Sequence, residues 1–314
     1  MKRLNEKLIR CTAGSFLILS LCACAPDPSL HKESSEAHHS NDHAAMVTVP
    51  PAPEQGTGIE ERISIDASDH HIFGTWMTPD SEYDSVVLLL HGFGANRECG
   101  GMFTEFAQLL AEENQTASFR LDFAGRGESD LDYSEFNLDQ GTDDVDRAVS
   151  WIRETYPGIQ HYYLLGQSMG GTITILDEAK NPGTYDGIVT WAGAADLTVL
   201  FTDDMVQYAK ENGTYTMNLS WLDRPLDISY EWFRECEEMD LYEDSSKGSA
   251  PLFAVGGMLD DTVPAADAQK LASVRTDPRS AYLIYEDADH MFRGVRERLY
   301  EDTLAWLRQI ASGN

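Results

Sequence analysis

From Val86 to Ile310 the chain alternates short aliphatic runs with longer amphipathic ones, and this rhythm limits the folds open to it more than anything else in the sequence. Val86–Leu90 is a continuous apolar run, as expected of a strand buried on both faces. Met102–Glu113 then places Phe103, Phe106, Ala107, Leu110 and Ala111 on one helical face. The same pairing recurs. Strands are expected at Ala117–Leu121, Tyr162–Leu165, Gly187–Trp191, Leu252–Val255 and Ala281–Tyr285. Helices are expected at Asp139–Tyr156 (stopped by Pro157-Gly158), Gly170–Ala179, Ala265–Val274 and Val295–Ile310. Ahead of them, 60–66 and 70–77 read as a hairpin turning at Ala67-Ser68-Asp69. Strands alternating with helices predict an α/β domain, with a mostly parallel sheet covered on both faces and ligands at the carboxyl ends of its strands. The stretch of about 197–249 breaks the alternation and carries Trp221, Tyr230, Trp232, Phe233 and Tyr242 among many acids. Its place between two strands predicts a lid over a substrate site, with a subset of its aromatics facing substrate and the rest packing on the domain.

Charge excludes one class of partner. With 53 Asp+Glu against 23 Lys+Arg, the formal net charge is −30, which repels polyanions and argues against nucleic acid. Apolar residues at 42% are too many for a disordered chain, and 314 residues allow one large domain or two modest ones.

The amino terminus reads as an address. Lys2, Arg3, Lys7 and Arg10 precede an uncharged run, Thr12–Ala23, that is too short to span a bilayer comfortably and suits a secretory signal. It closes on Leu21-Cys22-Ala23-Cys24, which resembles the bacterial lipobox. That resemblance implies lipidation at Cys24 and loss of 1–23 as a signal peptide. It further implies an exported lipoprotein held on the membrane or cell surface, outside the cytoplasm. The alternative is an ordinary signal peptide cleaved after an alanine. Residues 24–58, rich in Ser, Pro, Ala, Glu and His, read as a flexible linker to a domain at 59–314. His31, His38, His39 and His43 fall in that linker without a supporting thiol or carboxylate framework, so no metal site is expected. With Cys11 and Cys22 in the signal, Cys99 and Cys236 remain in the body, and nothing local says whether they pair. Oligomeric state is likewise left open.

Five short segments carry chemistry. Gly166-Gln167-Ser168-Met169-Gly170-Gly171 follows a predicted strand and opens a predicted helix, the strand–turn–helix context of a G-x-S-x-G nucleophile elbow. Its glycines suit a tight turn that lifts Ser168 above the sheet beside a helix N-terminus. His91-Gly92-Phe93-Gly94 follows the first aliphatic strand, where small residues let backbone approach a reacting carbonyl. The N–H groups of Phe93 and Met169 are the expected oxyanion pair. His91 is expected to brace its loop. A base and an orienting carboxylate should follow Ser168 in the order Asp, His. Asp260, in Gly257-Met258-Leu259-Asp260-Asp261-Thr262-Val263-Pro264, and His290, in Asp287-Ala288-Asp289-His290-Met291-Phe292, both lie just past predicted strands. Asp261 is the rival carboxylate, while Asp287 and Asp289 read as turn formers. In Asp122–Asp130, Asp122 and Ser129 are expected to brace a loop beside the site.

Together these segments resemble the α/β-hydrolase superfamily over roughly residues 60–312. Within it, the H-G-F, D-A-D-H and pre-Asp insertion are similar to those of bacterial cinnamoyl (feruloyl) esterases. Monoacylglycerol-lipase-like and other small esterases share most of the set. The resemblance implies a serine esterase working through an acyl-enzyme. Ser168 would be the nucleophile, His290 the base and Asp260 its orienter, with no metal or other cofactor. The implied substrates are small or sugar-linked esters of acyl or hydroxycinnamoyl groups, with a general carboxylesterase or acylglycerol lipase as alternative. A peptidase or acyltransferase lies further off, and a non-catalytic binding lipoprotein on the same scaffold further still.

Overall fold

The computed structural model describes residues 58–67 and 69–313. The signal segment 1–23, Cys24 and all of the linker but Gly58 lie outside the described residues.

The expected rhythm is realised as ten strands and eight helices among the described residues. Ile59–Asp66 (β1) and His71–Thr78 (β2) form the antiparallel hairpin, with Asp66 opposite His71. The remaining sheet strands are Ser85–Leu90 (β3), Ala117–Leu121 (β4), His161–Gln167 (β5), Gly187–Trp191 (β6), Leu252–Gly257 (β9) and Ala281–Tyr285 (β10). Their order across the eight-stranded sheet is β1-β2-β4-β3-β5-β6-β9-β10, and every pair from β4 onward is parallel. The fold is the α/β-hydrolase fold, a mostly parallel sheet flanked by helices.

The helices interleave as the apolar periodicity requires. Met102–Asn114 (α1) packs with Arg296–Ala311 (α8), while Leu138–Thr155 (α2), Met169–Lys180 (α3) and Ala265–Ser273 (α7) complete the regular set. Trp191, fully buried on β6, joins sheet to helices through Phe106 of α1 at 5.0 Å and Tyr300 of α8 at 5.7 Å. Its indole N–H is satisfied by Thr303 Oγ1 at 3.1 Å, so an aromatic of this size costs the core no stranded donor.

Topology then fixes where a ligand can sit. After β3 the chain goes to β4 on one side, then returns to β5 on the other. The loops leaving β3 and β5 therefore diverge and open a crevice at the carboxyl edge.

Between β6 and β9 runs an insertion with structure of its own. It holds Asp203–Asn212 (α4), a two-stranded antiparallel ribbon of Thr214–Met217 (β7) and Leu226–Ser229 (β8), then Tyr230–Glu238 (α5) and Leu241–Lys247 (α6). The insertion is pinned at its middle and at its exit. Arg126 Nη2 donates to Asp223 at 2.9 Å, and Arg224 Nη2 donates to the Gly125 carbonyl at 3.0 Å. At its exit Glu178 Oε1 accepts the N–H groups of Ser249 and Ala250, and Oε2 meets Arg275 Nη1 at 2.6 Å with both side chains fully buried.

Candidate active site

Ser168 stands at the turn from β5 into α3. Its φ of 55° and ψ of −122° are unfavourable for a residue with a Cβ, and such strain persists only where the surroundings over-determine it. The Ser168 N–H donates to the Trp191 carbonyl at 3.0 Å, and its carbonyl accepts from Gly171 at 2.9 Å and Ala194 at 3.2 Å. The turn can be this tight because Gly170 lies against β3. A Cβ there would come within 1.9 Å of the Leu90 carbonyl oxygen. Ser168 is half-buried, at the N-terminus of a 12-residue helix whose dipole favours developing negative charge.

His290 and Asp260 meet as the motif order predicts. His290 Nδ1 lies 2.8 Å from Asp260 Oδ2, with the imidazole partly exposed and the carboxylate buried. The other carboxylate oxygen accepts the N–H groups of Thr262 and Val263, each at 2.8 Å. An anion so held orients the ring and fixes its tautomer, with the proton on Nδ1 and a lone pair on Nε2. Asp261 instead contacts the Thr262 hydroxyl. Asp289 caps its own turn by accepting from Met291 and Arg293, and Asp287 pairs with Arg298.

The loop after β3 closes over the elbow. A Cβ on Gly92 would lie 3.1 Å from Ser168 Cβ and 2.7 Å from Gln167 Oε1, so only glycine lets the loop come this near. Phe93 and Met169 are both buried, and neither backbone N–H has a hydrogen-bond partner among the described residues. Buried N–H groups are seldom left so. His91 is wholly buried and braces the loop: its Nε2 accepts from the Phe123 N–H at 3.2 Å and its Nδ1–H donates to the Gly92 carbonyl at 2.9 Å. Burial pushes its pKa down to about 4, so it stays neutral and keeps both bonds.

The Asp122–Asp130 loop is braced as expected. Asp122 accepts the N–H groups of Arg97 at 2.7 Å and Glu128 at 3.0 Å and pairs with the Arg97 guanidinium. The Ser129 hydroxyl donates to the Asp122 carbonyl at 2.7 Å and accepts from the Phe73 N–H.

Two features escaped the sequence. Gln167, the x before the serine, is buried with its amide against His290. And Trp232 of the insertion is fully buried against Phe93, with ring centroids 5.2 Å apart, while Tyr133 flanks the same ring at 6.0 Å. Sequence periodicity marks Trp232 as apolar but cannot say that it lands on the loop after β3. Cys99 and Cys236 are both buried and unpaired.

The family model described as "Serine aminopeptidase, S33" matches residues 81–243, just over half of the chain. The protein belongs to this family of α/β-hydrolases. Among curated proteins, human monoglyceride lipase is 30% identical over 128 residues, 40% of each chain. The monoglyceride lipase homolog of monkeypox virus is 28% identical over 151 residues, 48% of this chain and 52% of that one. The chain thus matches about half or less of these relatives' length. Among solved structures, Est1E from Butyrivibrio proteoclasticus with ferulic acid bound superposes with a TM-score of 0.67 at 15% identity, covering 80% of this chain and 99% of that one. A putative hydrolase of Agrobacterium vitis superposes with a TM-score of 0.65 at 18% identity, covering 79% and 98%. At these identities the likenesses show the fold alone.

Proposed function

We propose that the protein is a serine hydrolase of carboxylic esters, with Ser168 as nucleophile, His290 as general base and Asp260 as its orienter. The observation that carries this reading is the 2.8 Å contact between His290 Nδ1 and Asp260, beside a strained serine at a helix N-terminus. Nε2 of His290 takes the Ser168 proton as Oγ attacks the ester carbonyl. The alkoxide of the tetrahedral adduct is held by the Phe93 and Met169 N–H groups, donors of a kind worth about 3–4 kcal/mol each in kcat. Collapse of the adduct expels the alcohol, which takes its proton from His290, and water then releases the acid by the reverse sequence. Ser168 Oγ has no side-chain hydrogen bond among the described residues, and the transfer requires that it reach Nε2 in the substrate complex, where catalytic hydrogen bonds often tighten.

For the acyl group, the reading is a hydroxycinnamoyl or related aryl ester. The fold shared with Est1E, whose structure holds ferulic acid, supports it. A second reading, an acylglycerol ester, is favoured by Val199, Trp221, Met258 and Leu259. These are exposed apolar side chains in the insertion and in the loop leading to Asp260, and monoglyceride lipases match by sequence. Hydrolysis of methyl ferulate, nitrophenyl butyrate, monoolein and an aminoacyl nitroanilide separates the possibilities. Turnover of methyl ferulate well above monoolein is expected, and none on ferulate would overturn the aryl reading. Cleavage of the anilide alone would move the protein to the peptidases. We further propose lipid anchoring through Cys24, which predicts that Cys24→Ser moves the protein from the membrane fraction to the soluble one.

A further inference from the structure

His290 is held from two sides, and only one of them is the carboxylate. The buried Gln167 side chain puts its Nε2 within 3.4 Å of His290 Nε2 and 3.3 Å of the His290 carbonyl oxygen. One amide therefore grips both the ring and the main chain of a single residue. With the imidazole proton on Nδ1 toward Asp260, ring Nε2 is an acceptor, and the amide is the donor it meets. The amide's orientation is set at its other end. Oε1 accepts from the Cys99 thiol at 3.7 Å, and Gly92 leaves room for it. Burial pushes the Cys99 thiol up to about 12, so it remains a donor. A chain of bonds thus runs from the connection after β3, through the residue before the nucleophile, to the base.

We propose that Gln167 is a positioning residue for His290: its amide clamps the imidazole with Nε2 unprotonated and turned toward the elbow, and anchors the β10 loop through the His290 carbonyl. The proposal rests on the serine-hydrolase reading above. The clamp yields when Oγ approaches Nε2. Other titratable or charged groups facing this loop are Asp260, the Cys99 thiol, and Arg296, which donates to the Met291 carbonyl.

The test compares the full chain with Gln167→Met, which keeps length but has no donor, and Gln167→Glu, which presents acceptors. On nitrophenyl butyrate, Gln167→Met should lower kcat about tenfold, the worth of one well-placed hydrogen bond, with KM within twofold and the thermal midpoint little changed. Gln167→Glu should move the acid limb of the kcat/KM profile to higher pH, because a carboxylate beside Nε2 favours the imidazolium. Nitrogen-15 NMR of the His290 ring reads the clamp without turnover: the Nε2 resonance should shift in Gln167→Met while Nδ1, bound to Asp260, stays. An unmoved Nε2 resonance, or kcat within twofold of wild type, overturns the clamp. A fall in kcat matched by an equal loss of thermal midpoint also overturns it, leaving a packing role. Labelling of Ser168→Ala by a fluorophosphonate would instead defeat the underlying serine-hydrolase reading, whatever the Gln167 variants do.

Discussion

Asp260 Oδ2 and His290 Nδ1 lie 2.8 Å apart although thirty residues separate them, because each follows one of two neighbouring parallel strands, β9 and β10. Asp260 is further tied by two backbone N–H groups, so its charge is fixed before any substrate arrives. Asp260→Asn keeps the shape but lets the side chain donate to Nδ1, favouring the wrong tautomer. We expect kcat to fall about 10⁴-fold with the fold intact. A loss under tenfold, measured on nitrophenyl butyrate, would remove Asp260 from the mechanism.

Gly92 offers a second test, this time of the loop. A methyl group there would press on Gln167 Oε1 and Ser168 Cβ, at 2.7 and 3.1 Å. Gly92→Ala should push the Phe93 N–H away from the reacting carbonyl and cost about 10²-fold in kcat, the scale of one lost oxyanion donor. The circular dichroism spectrum should stay native. Full activity would show that the loop does not contribute a donor.

The buried pair of Glu178 and Arg275 ties α3, which begins at the nucleophile, to the exit of the insertion. Glu178→Ala strands a buried guanidinium and two backbone N–H groups. It should cost about 3–5 kcal/mol of unfolding free energy in a urea titration. Replacing both partners by apolar residues should cost less, and an equal or greater cost would assign the loss to packing.

His70 sets the pH dependence of stability. It is buried, with Nε2 3.0 Å from the buried Asp144 and Nδ1 2.9 Å from Asp69, and chiefly the hydrogen bond to Asp144 raises its pKa to about 9. A raised pKa means that the folded state holds the proton more tightly. The stabilisation is therefore complete below about pH 6.5 and is lost as pH climbs through 9, up to about 3 kcal/mol. Urea midpoints should fall between pH 6 and 9.5 in wild type and stay flatter in His70→Asn. A slope unchanged by that substitution would assign the effect elsewhere.

Much of this was legible from the chain alone, and the exceptions have physical causes. Strands buried on both faces, such as β3 and β6, announce themselves as unbroken apolar runs, so the sheet could be read to within a residue or two. The elbow and the Asp and His loops sit at strand ends, where topology brings distant segments together without any need to know side-chain detail. Asp260 and Asp261 are rivals on sequence, and their hydrogen bonding differs: Asp260 accepts two backbone bonds and reaches His290, while among the described residues Asp261 meets a neighbouring hydroxyl. The β7–β8 ribbon is not legible in the sequence because its strands are four residues each, too short for alternation to register. Gln167 is the variable letter of a motif, and its role is not legible there because its partners, His290 and Cys99, lie 123 and 68 residues away.

A fluorophosphonate probe tests the central claim most directly, because it reacts only with a serine whose proton is drawn off and whose adduct is stabilised. The account predicts that wild type is labelled at Ser168, that Ser168→Ala is not labelled, and that His290→Ala is labelled at least a hundredfold more slowly. An unlabelled wild type, or equal labelling of Ser168→Ala, would contradict it.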